Sequence, residues 1–131
     1  MKVPEAIVND KFANFVGIKL LECGDGSAFT SLKLEPQHMN GLGRVHGAVI
    51  YAIAYYTFAA GSNSRDHFAL ALDTHITFIK AVSGTTLFAR CRELGLNRRT
   101  AFYAVDVTDD TDTLIATFHG TAYLKPHAAG S

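Results

Sequence analysis

The stretch HMNGLGRVHGAVIYAIAYYTFAAGSNS, residues 38–64, decides the fold of this chain. Its second half, from Gly47 to Ser62, reads as a helix of 16 residues, about 24 Å long at the usual rise per residue. The helix is apolar on nearly every face, and a helix without a polar stripe has to be wrapped rather than laid on a surface. Ala48, Ala52, Ala54, Ala59 and Ala60 keep it thin, so that a sheet can close around it. The glycine-rich entry has the composition of an active-site loop, yet no Asp or Glu occurs between His38 and Ser64.

On the C-terminal side, from His67 onward, the hydrophobic period changes to two. Phe68, Leu70, Leu72, Thr74, Ile76 and Phe78 alternate with Ala69, Ala71, Asp73, His75 and Thr77, which predicts one long strand with an apolar and a mixed face. TTLFARCREL, TAFYAVDVT and TLIATFHGTAYL repeat the pattern, separated by GLNRR and DDTD. Connections this short join antiparallel neighbours, because a parallel crossover needs a dozen residues or more. On the N-terminal side, PEAIVNDKFANFVG (residues 4–17) places Ala6, Ile7, Phe12, Phe15 and Val16 at three- and four-residue spacings before Gly17, the pattern of a short amphipathic helix. IKLLECGDGSAFTSLKLEP then reads as a hairpin turning at Gly24-Asp25-Gly26. Helix, hairpin, long helix and four antiparallel strands make an α+β chain. No linker or repeat divides it, so one domain over residues 1–131 is expected, with residues 125–131, KPHAAGS, as a frayed tail.

At 131 residues and 48% hydrophobic content the chain can bury a full core without staples. Lys plus Arg and Asp plus Glu balance at 12 each, so no net field draws in nucleic acid or an anionic membrane surface. Cys23 and Cys91 match no metal-ligand spacing and read as buried small hydrophobes in a reducing compartment. The N-terminus lacks a signal-peptide apolar run, and no span has the length and flanks of a membrane helix. A cytoplasmic protein is expected.

The run His38-Met39-Asn40-Gly41-Leu42-Gly43-Arg44-Val45-His46-Gly47 resembles the H-x-N-x-x-G-x-x-H-G segment of the hotdog-fold thioesterases, in particular the phenylacetate-degradation (PaaI-like) acyl-CoA thioesterase group. The alanine-rich helix and the strand LALDTHITFIKAV extend the resemblance over about residues 30–124. It implies the hotdog fold, a curved antiparallel sheet around one long helix, and a homo-oligomer, dimer or dimer of dimers, with active sites at subunit interfaces. It also implies an acyl-CoA ligand, with coenzyme A entering as part of the substrate and neither cofactor nor metal required. Asn40 corresponds to the residue that places the substrate carbonyl or attacking water, and His46 to the one that shapes the loop at the helix start. A helix beginning there aims the Gly47 amide and the positive dipole end at a developing oxyanion.

The acid of the family does not carry over: its position falls on Tyr55, and the serine or threonine of the next strand falls near Ala71. A phenol is a poor base at neutral pH. Asp73, with His75, shares a strand with Ala71 on its mixed face and is the candidate replacement base, against the alternative of a solvated surface acid. His46 is either an ordering residue or an acid–base, and Tyr55 either a pocket phenol or a plain core aromatic. The catalytic set is therefore Asn40, His46, Gly47, Tyr55 and Asp73, with Gly43, Ala48, Ala71, Arg98 and Arg99 against the substrate. Arg98 and Arg99 could meet coenzyme A phosphates, against the somewhat favoured alternative of a solvated turn. Asp109, Asp110 and Asp112 lack the spacing of a calcium loop and read as a hairpin turn, and His119 as a sheet residue. Two functions follow: acyl-CoA thioester hydrolysis with an atypical site, or acyl-CoA or acyl-group binding or sensing on the same scaffold without catalysis.

Overall fold

A computed structural model describes residues 4–126. The chain folds as α1 (Glu5–Val8), α2 (Lys11–Val16), β1 (Lys19–Gly24), β2 (Ser27–Lys33), α3 (Gly47–Ser62), β3 (His67–Phe78), β4 (Thr86–Leu96), β5 (Thr100–Asp109) and β6 (Leu114–Pro126). The strands form one six-stranded antiparallel sheet in the order β1-β2-β4-β5-β6-β3. The sheet curls around α3, whose Ile50, Ile53, Ala54, Phe58 and Ala60 join Leu32, Leu87, Val105, Val107, Ile115 and Phe118 in the core. This is the hotdog architecture, and the long helix has the bounds its composition predicts.

Glycines let sheet and helix touch. A Cβ at Gly120 of β6 would lie 2.6 Å from the Phe58 ring, and one at Gly61 would lie 2.7 Å from Cys91 Sγ. The few polar groups of α3 are satisfied locally. Thr57 donates to the Ile53 carbonyl at 2.6 Å and pairs with the Thr30 hydroxyl across the core at 2.7 Å. Beyond the helix, Arg65 grips both Glu93 carboxylate oxygens at 3.1 Å and donates to the Asp25 carbonyl at 3.0 Å. That fork ties the helix exit to β4 and to the β1–β2 turn. The hairpin turns where expected, and because Gly24 pairs with Ser27 its loop is the two residues Asp25 and Gly26, both at positive φ (52° and 81°).

Three expectations change. The N-terminal helix is broken at Asn9-Asp10, and Asp10 restarts it by accepting the Ala13 amide at 2.9 Å. The restart rotates the second half, so Ile7 and Ala13 are buried while Phe12 and Phe15 are 64% and 85% exposed. At the other end, Lys125 and Pro126 are not tail: they pair with Phe68 and His67 in β6. The remaining residues of the expected tail, 127–131, lie outside the described residues.

The third change concerns β3. Its ladder with β6 slips by one residue between Ala71 and Asp73, a β-bulge at Leu72. Before the bulge, Ala69 and Ala71 oppose Leu124 and Ala122 on the helix side; after it, Thr74, Ile76 and Phe78 take that side. Asp73 and His75 consequently lie on the outer face, opposite to Ala71, because a one-residue insertion inverts the alternation.

Candidate active site

The loop into α3 is built by its own polar side chains. His38 is buried, with Nδ1 accepting the Glu35 amide at 2.9 Å and Nε2 donating to the Val16 carbonyl at 2.7 Å. The ring anchors the loop to the end of α2, a role the motif did not suggest. Asn40 closes the next turn: its Oδ1 accepts the Leu42 amide at 2.9 Å and the Arg44 amide at 3.1 Å. Gly43 takes a left-handed conformation (φ 75°) inside that turn, and Met39 bridges to Val45. With its oxygen occupied, Asn40 retains Nδ2–H as a donor.

His46 is the N-cap of α3, and its Nδ1 accepts the Ala48 amide at 2.9 Å. The Val49 and Ile50 amides turn back to the His46 carbonyl at 3.0 and 3.3 Å. Gly47 is the member of this first turn whose amide bonds to no described residue. The Phe78 ring stands 3.4 Å from where a Gly47 Cβ would be, so this amide is approached past an aromatic edge.

Downstream on the helix, Tyr51 and Tyr55 stack with ring centroids 6.0 Å apart, and the Tyr51 hydroxyl bonds to Thr74 of β3. Tyr55 is 40% exposed and meets Phe58 edge-on. Its neighbour Tyr56 is buried and donates to the Ile7 carbonyl at 2.9 Å, so the two adjacent tyrosines diverge as helical geometry requires. An open groove of about 570 Å³ runs along this side, lined by Asp10, Phe12 and Ala13 from the N-terminal segment and by Ala48, Tyr51, Ala52, Tyr55 and Tyr56 from α3. It is largely apolar and begins beside Gly47.

The structure thus places His46, Gly47 and Ala48 at the start of α3, Asn40 and Gly43 in the loop leading into it, Tyr55 two turns further along the groove that Ala48 also lines, and Ala71 on the helix-facing side of β3. It does not bring Asp73 there, because the bulge turns that carboxylate to the far side of the sheet. Arg98 and Arg99 are also remote. With His67, Asn97 and Lys125 they border a separate depression of about 480 Å³ at the other end of the helix, where the His67 ring meets the Ser62 carbonyl at 3.0 Å. The helix of 16 residues sets some 24 Å between that end and Gly47 within one chain. Tyr51, Thr74 and Asp10 escaped sequence reasoning, since each reaches the groove only through a break, a bulge or a tertiary hydrogen bond. Among the described residues no group of three or more His, Cys, Asp or Glu is arranged to hold a metal ion, and no helix is long and apolar enough to cross a membrane.

A long helix wrapped by a curled six-stranded antiparallel sheet defines a hotdog-fold protein. The chain belongs to the thioesterase superfamily, whose profile matches residues 42–116, and within it to the PaaI-like group. It is 34% identical over 116 residues to a protein of Archaeoglobus fulgidus provisionally named an esterase, covering 88% of this chain and 75% of that one. The acyl-coenzyme A thioesterase PaaI of Escherichia coli is 26% identical, over 88% of this chain and 83% of the relative. Among solved structures, a mutant of the phenylacetic acid degradation protein PaaI of Thermus thermophilus superposes with a TM-score of 0.81 at 33% identity, over 86% of this chain and 96% of that one. These relatives support a thioesterase-like function for the fold and site described above.

Proposed function

We propose that the protein hydrolyses acyl-CoA thioesters, with the thioester carbonyl held at the start of α3 and the acyl group in the groove beside Tyr51 and Tyr55. The observation that carries this reading is the Gly47 amide, a donor at the positive end of a long helix with no partner among the described residues, and the Asn40 Nδ2–H in the loop leading into that helix is a second donor. Both groups can stabilise the oxyanion that forms when water attacks the carbonyl. Coenzyme A is part of the substrate, and no step calls for a cofactor or metal.

The site extends over a second copy of the chain. β3 is the sheet edge, 12 residues long and exposing Leu70 and Leu72, and such an edge seeks a partner strand. A two-fold axis perpendicular to the sheet pairs β3 antiparallel with itself and keeps both helices on one side. The end of β3 bearing Phe78 then lies next to the copy's end bearing His67. Arg98, Arg99 and Lys125 of the copy so approach the mouth of the groove, where coenzyme A phosphates need cations. A homodimer, with or without further pairing of dimers, working in the cytoplasm fits two buried, unbridged cysteines and a balanced charge; no nucleic-acid or membrane partner is proposed.

The absent helix acid favours a second reading, acyl-CoA binding or sensing without turnover. One experiment separates the two. Gly47 is the first helical residue, where proline is tolerated, and His46 already has the extended conformation (φ −66°, ψ 134°) that a following proline demands. Gly47→Pro therefore deletes the amide and spares the helix, while Gly47→Ala controls for bulk against Phe78. With a panel of short, medium, long and aromatic acyl-CoAs, thiol release should persist in Gly47→Ala and fall about 10²–10³-fold in Gly47→Pro. Wild-type binding by calorimetry without thiol release would establish the second reading, and equal turnover by both variants would remove the oxyanion assignment.

A further inference from the structure

The groove beside α3 ends on a charge. It runs from Ala48, next to Gly47, to Tyr55 and Tyr56, and its other wall is Asp10, Phe12 and Ala13 of the N-terminal segment. Tyr55 lies about 12 Å along the helix axis from Gly47. Asp10 belongs to that distant end. The Tyr56 hydroxyl donates to the Ile7 carbonyl at 2.9 Å, which docks the segment carrying Asp10 beside this part of α3. Burial pushes the Tyr56 phenol up, and the nearby Asp10 charge adds to it. Asp10 Oδ1 accepts the Ala13 amide at 2.9 Å, whereas Oδ2 has neither a hydrogen bond nor an ion pair with any described residue. The rest of the lining is alanine and aromatic rings. A chain ending there in a methyl group would strip water from Oδ2 and return no hydrogen bond, an unfavourable exchange. A chain ending in a hydroxyl or ammonium group would supply the missing donor.

We infer that the groove selects acyl groups of about eight to ten carbons with a hydrogen-bond donor at the far end, Asp10 Oδ2 being the acceptor. At ordinary carbon–carbon spacing a chain of that length runs from a carbonyl held at the Gly47 amide to Asp10. The inference rests on the placement of the acyl group in the thioester-hydrolysis reading above. Asp10 is thereby a specificity residue, remote from the reacting carbonyl, and takes no proton during hydrolysis.

Decyl-length oxoalkyl thioethers of coenzyme A keep the carbonyl but resist hydrolysis, and calorimetry compares those ending in methyl, hydroxyl and ammonium. The wild-type chain should bind the two donor-ended ligands about 5–10-fold more tightly than the methyl-ended one. Butyl-length ligands, too short to reach Asp10, should show no such difference. Serine and asparagine cap helices about as well as aspartate, so both variants should melt close to wild type. Asp10→Ser should bind the three decyl ligands alike, and Asp10→Asn should lose the preference for ammonium while keeping part of that for hydroxyl. Thiol release from the matching thioesters should follow the same order in kcat/KM, with the loss in Asp10→Ser confined to donor-ended substrates. Equal wild-type affinity for the three ends, or a preference that survives Asp10→Ser, overturns the inference. If the preference holds in binding but no thioester of the series is hydrolysed, the hydrolysis reading fails and the selection of the chain end stands.

Discussion

The Nδ1 of His46 lies 2.9 Å from the Ala48 amide nitrogen and accepts its hydrogen. The imidazole therefore does for α3 what a Ser, Asp or Asn side chain does at most helix starts. By consuming the Ala48 amide it leaves the Gly47 amide without a partner among the described residues, and this geometry predicts an ordering role for the ring. His46→Asn should keep both stability and turnover. His46→Ala should lower stability by ~1 kcal/mol and reduce turnover by loosening the loop. Steady-state kinetics beside thermal melts check this; an asparagine variant that folds normally but is 100-fold slower would assign acid–base chemistry to the ring.

Tyr55 is half-exposed and stacked on Tyr51, not sealed in the core. A carboxylate at this position would be reached by water, so the desolvation cost that normally accompanies a new buried acid is small here. Tyr55→Asp is expected to fold and to raise thioester hydrolysis, because an acid at this helix position supplies the groove with a base or nucleophile that a phenol cannot be at neutral pH. Tyr55→Phe should leave the rate near wild type, since the Tyr55 hydroxyl makes no hydrogen bond to the described residues. Thiol-release assays on the three proteins decide it, and a large loss in Tyr55→Phe would make the phenol a participant.

Gly120 of β6 is where the sheet presses on the helix, with the Phe58 ring filling the place of a side chain. Gly120→Ala would put a Cβ 2.6 Å from the Phe58 ring, so ring or strand must shift, and the expected cost is about 1–3 kcal/mol, as for other overpacked cores. Phe58→Leu on that background should recover part of it, because removing the ring edge removes the clash. Denaturant midpoints for the two single variants and the double variant give the coupling, and strict additivity would mean that the two residues do not press on each other.

Asp109 is only 2% exposed. Its Oδ2 accepts the Ser83 and Gly84 amides, and its Oδ1 accepts the amide and hydroxyl of Thr111. Burial alone would raise its pKa, but the hydroxyl and amide donors outweigh burial and hold it well below the ordinary carboxylate range. A depressed folded-state pKa stabilises the fold fully above the unfolded value of ~3.9 and loses that contribution as pH falls through it and below. Asp109→Asn should cost roughly 2–4 kcal/mol at pH 7, and its deficit should shrink below about pH 4. Denaturant unfolding of both proteins from pH 7 to pH 3 tests the sign, and a deficit independent of pH would contradict it.

Much of this was legible along the chain. The apolar α3, the Gly24-Asp25-Gly26 hairpin and the period-two strands each follow from local rules that nearest neighbours obey, and Asn40, His46 and Gly47 sit at the helix start because the loop before a long helix has nowhere else to go. The aspartates at 109–112 do form a hairpin turn, but nothing in their spacing shows that Asp109 is drawn inward to accept the Ser83 and Gly84 amides.

Where sequence reasoning failed, a single inserted or restarted residue changed a phase. The bulge at Leu72 sends Asp73 away from the groove and Thr74 toward Tyr51, although strict alternation would assign the reverse. The break at Asn9-Asp10 exposes Phe12 and brings a carboxylate to Tyr55, although an unbroken helical period would bury that phenylalanine. By itself the sequence determined which segments are helix and strand and that one thin helix lies inside the sheet, because periodicity and chain stiffness act over a few residues. Only the tertiary structure decided which side chains share the groove, because a one-residue slip costs little locally yet inverts every side chain beyond it, and its outcome depends on how β3 and α2 pack against strands and a helix far away in the chain.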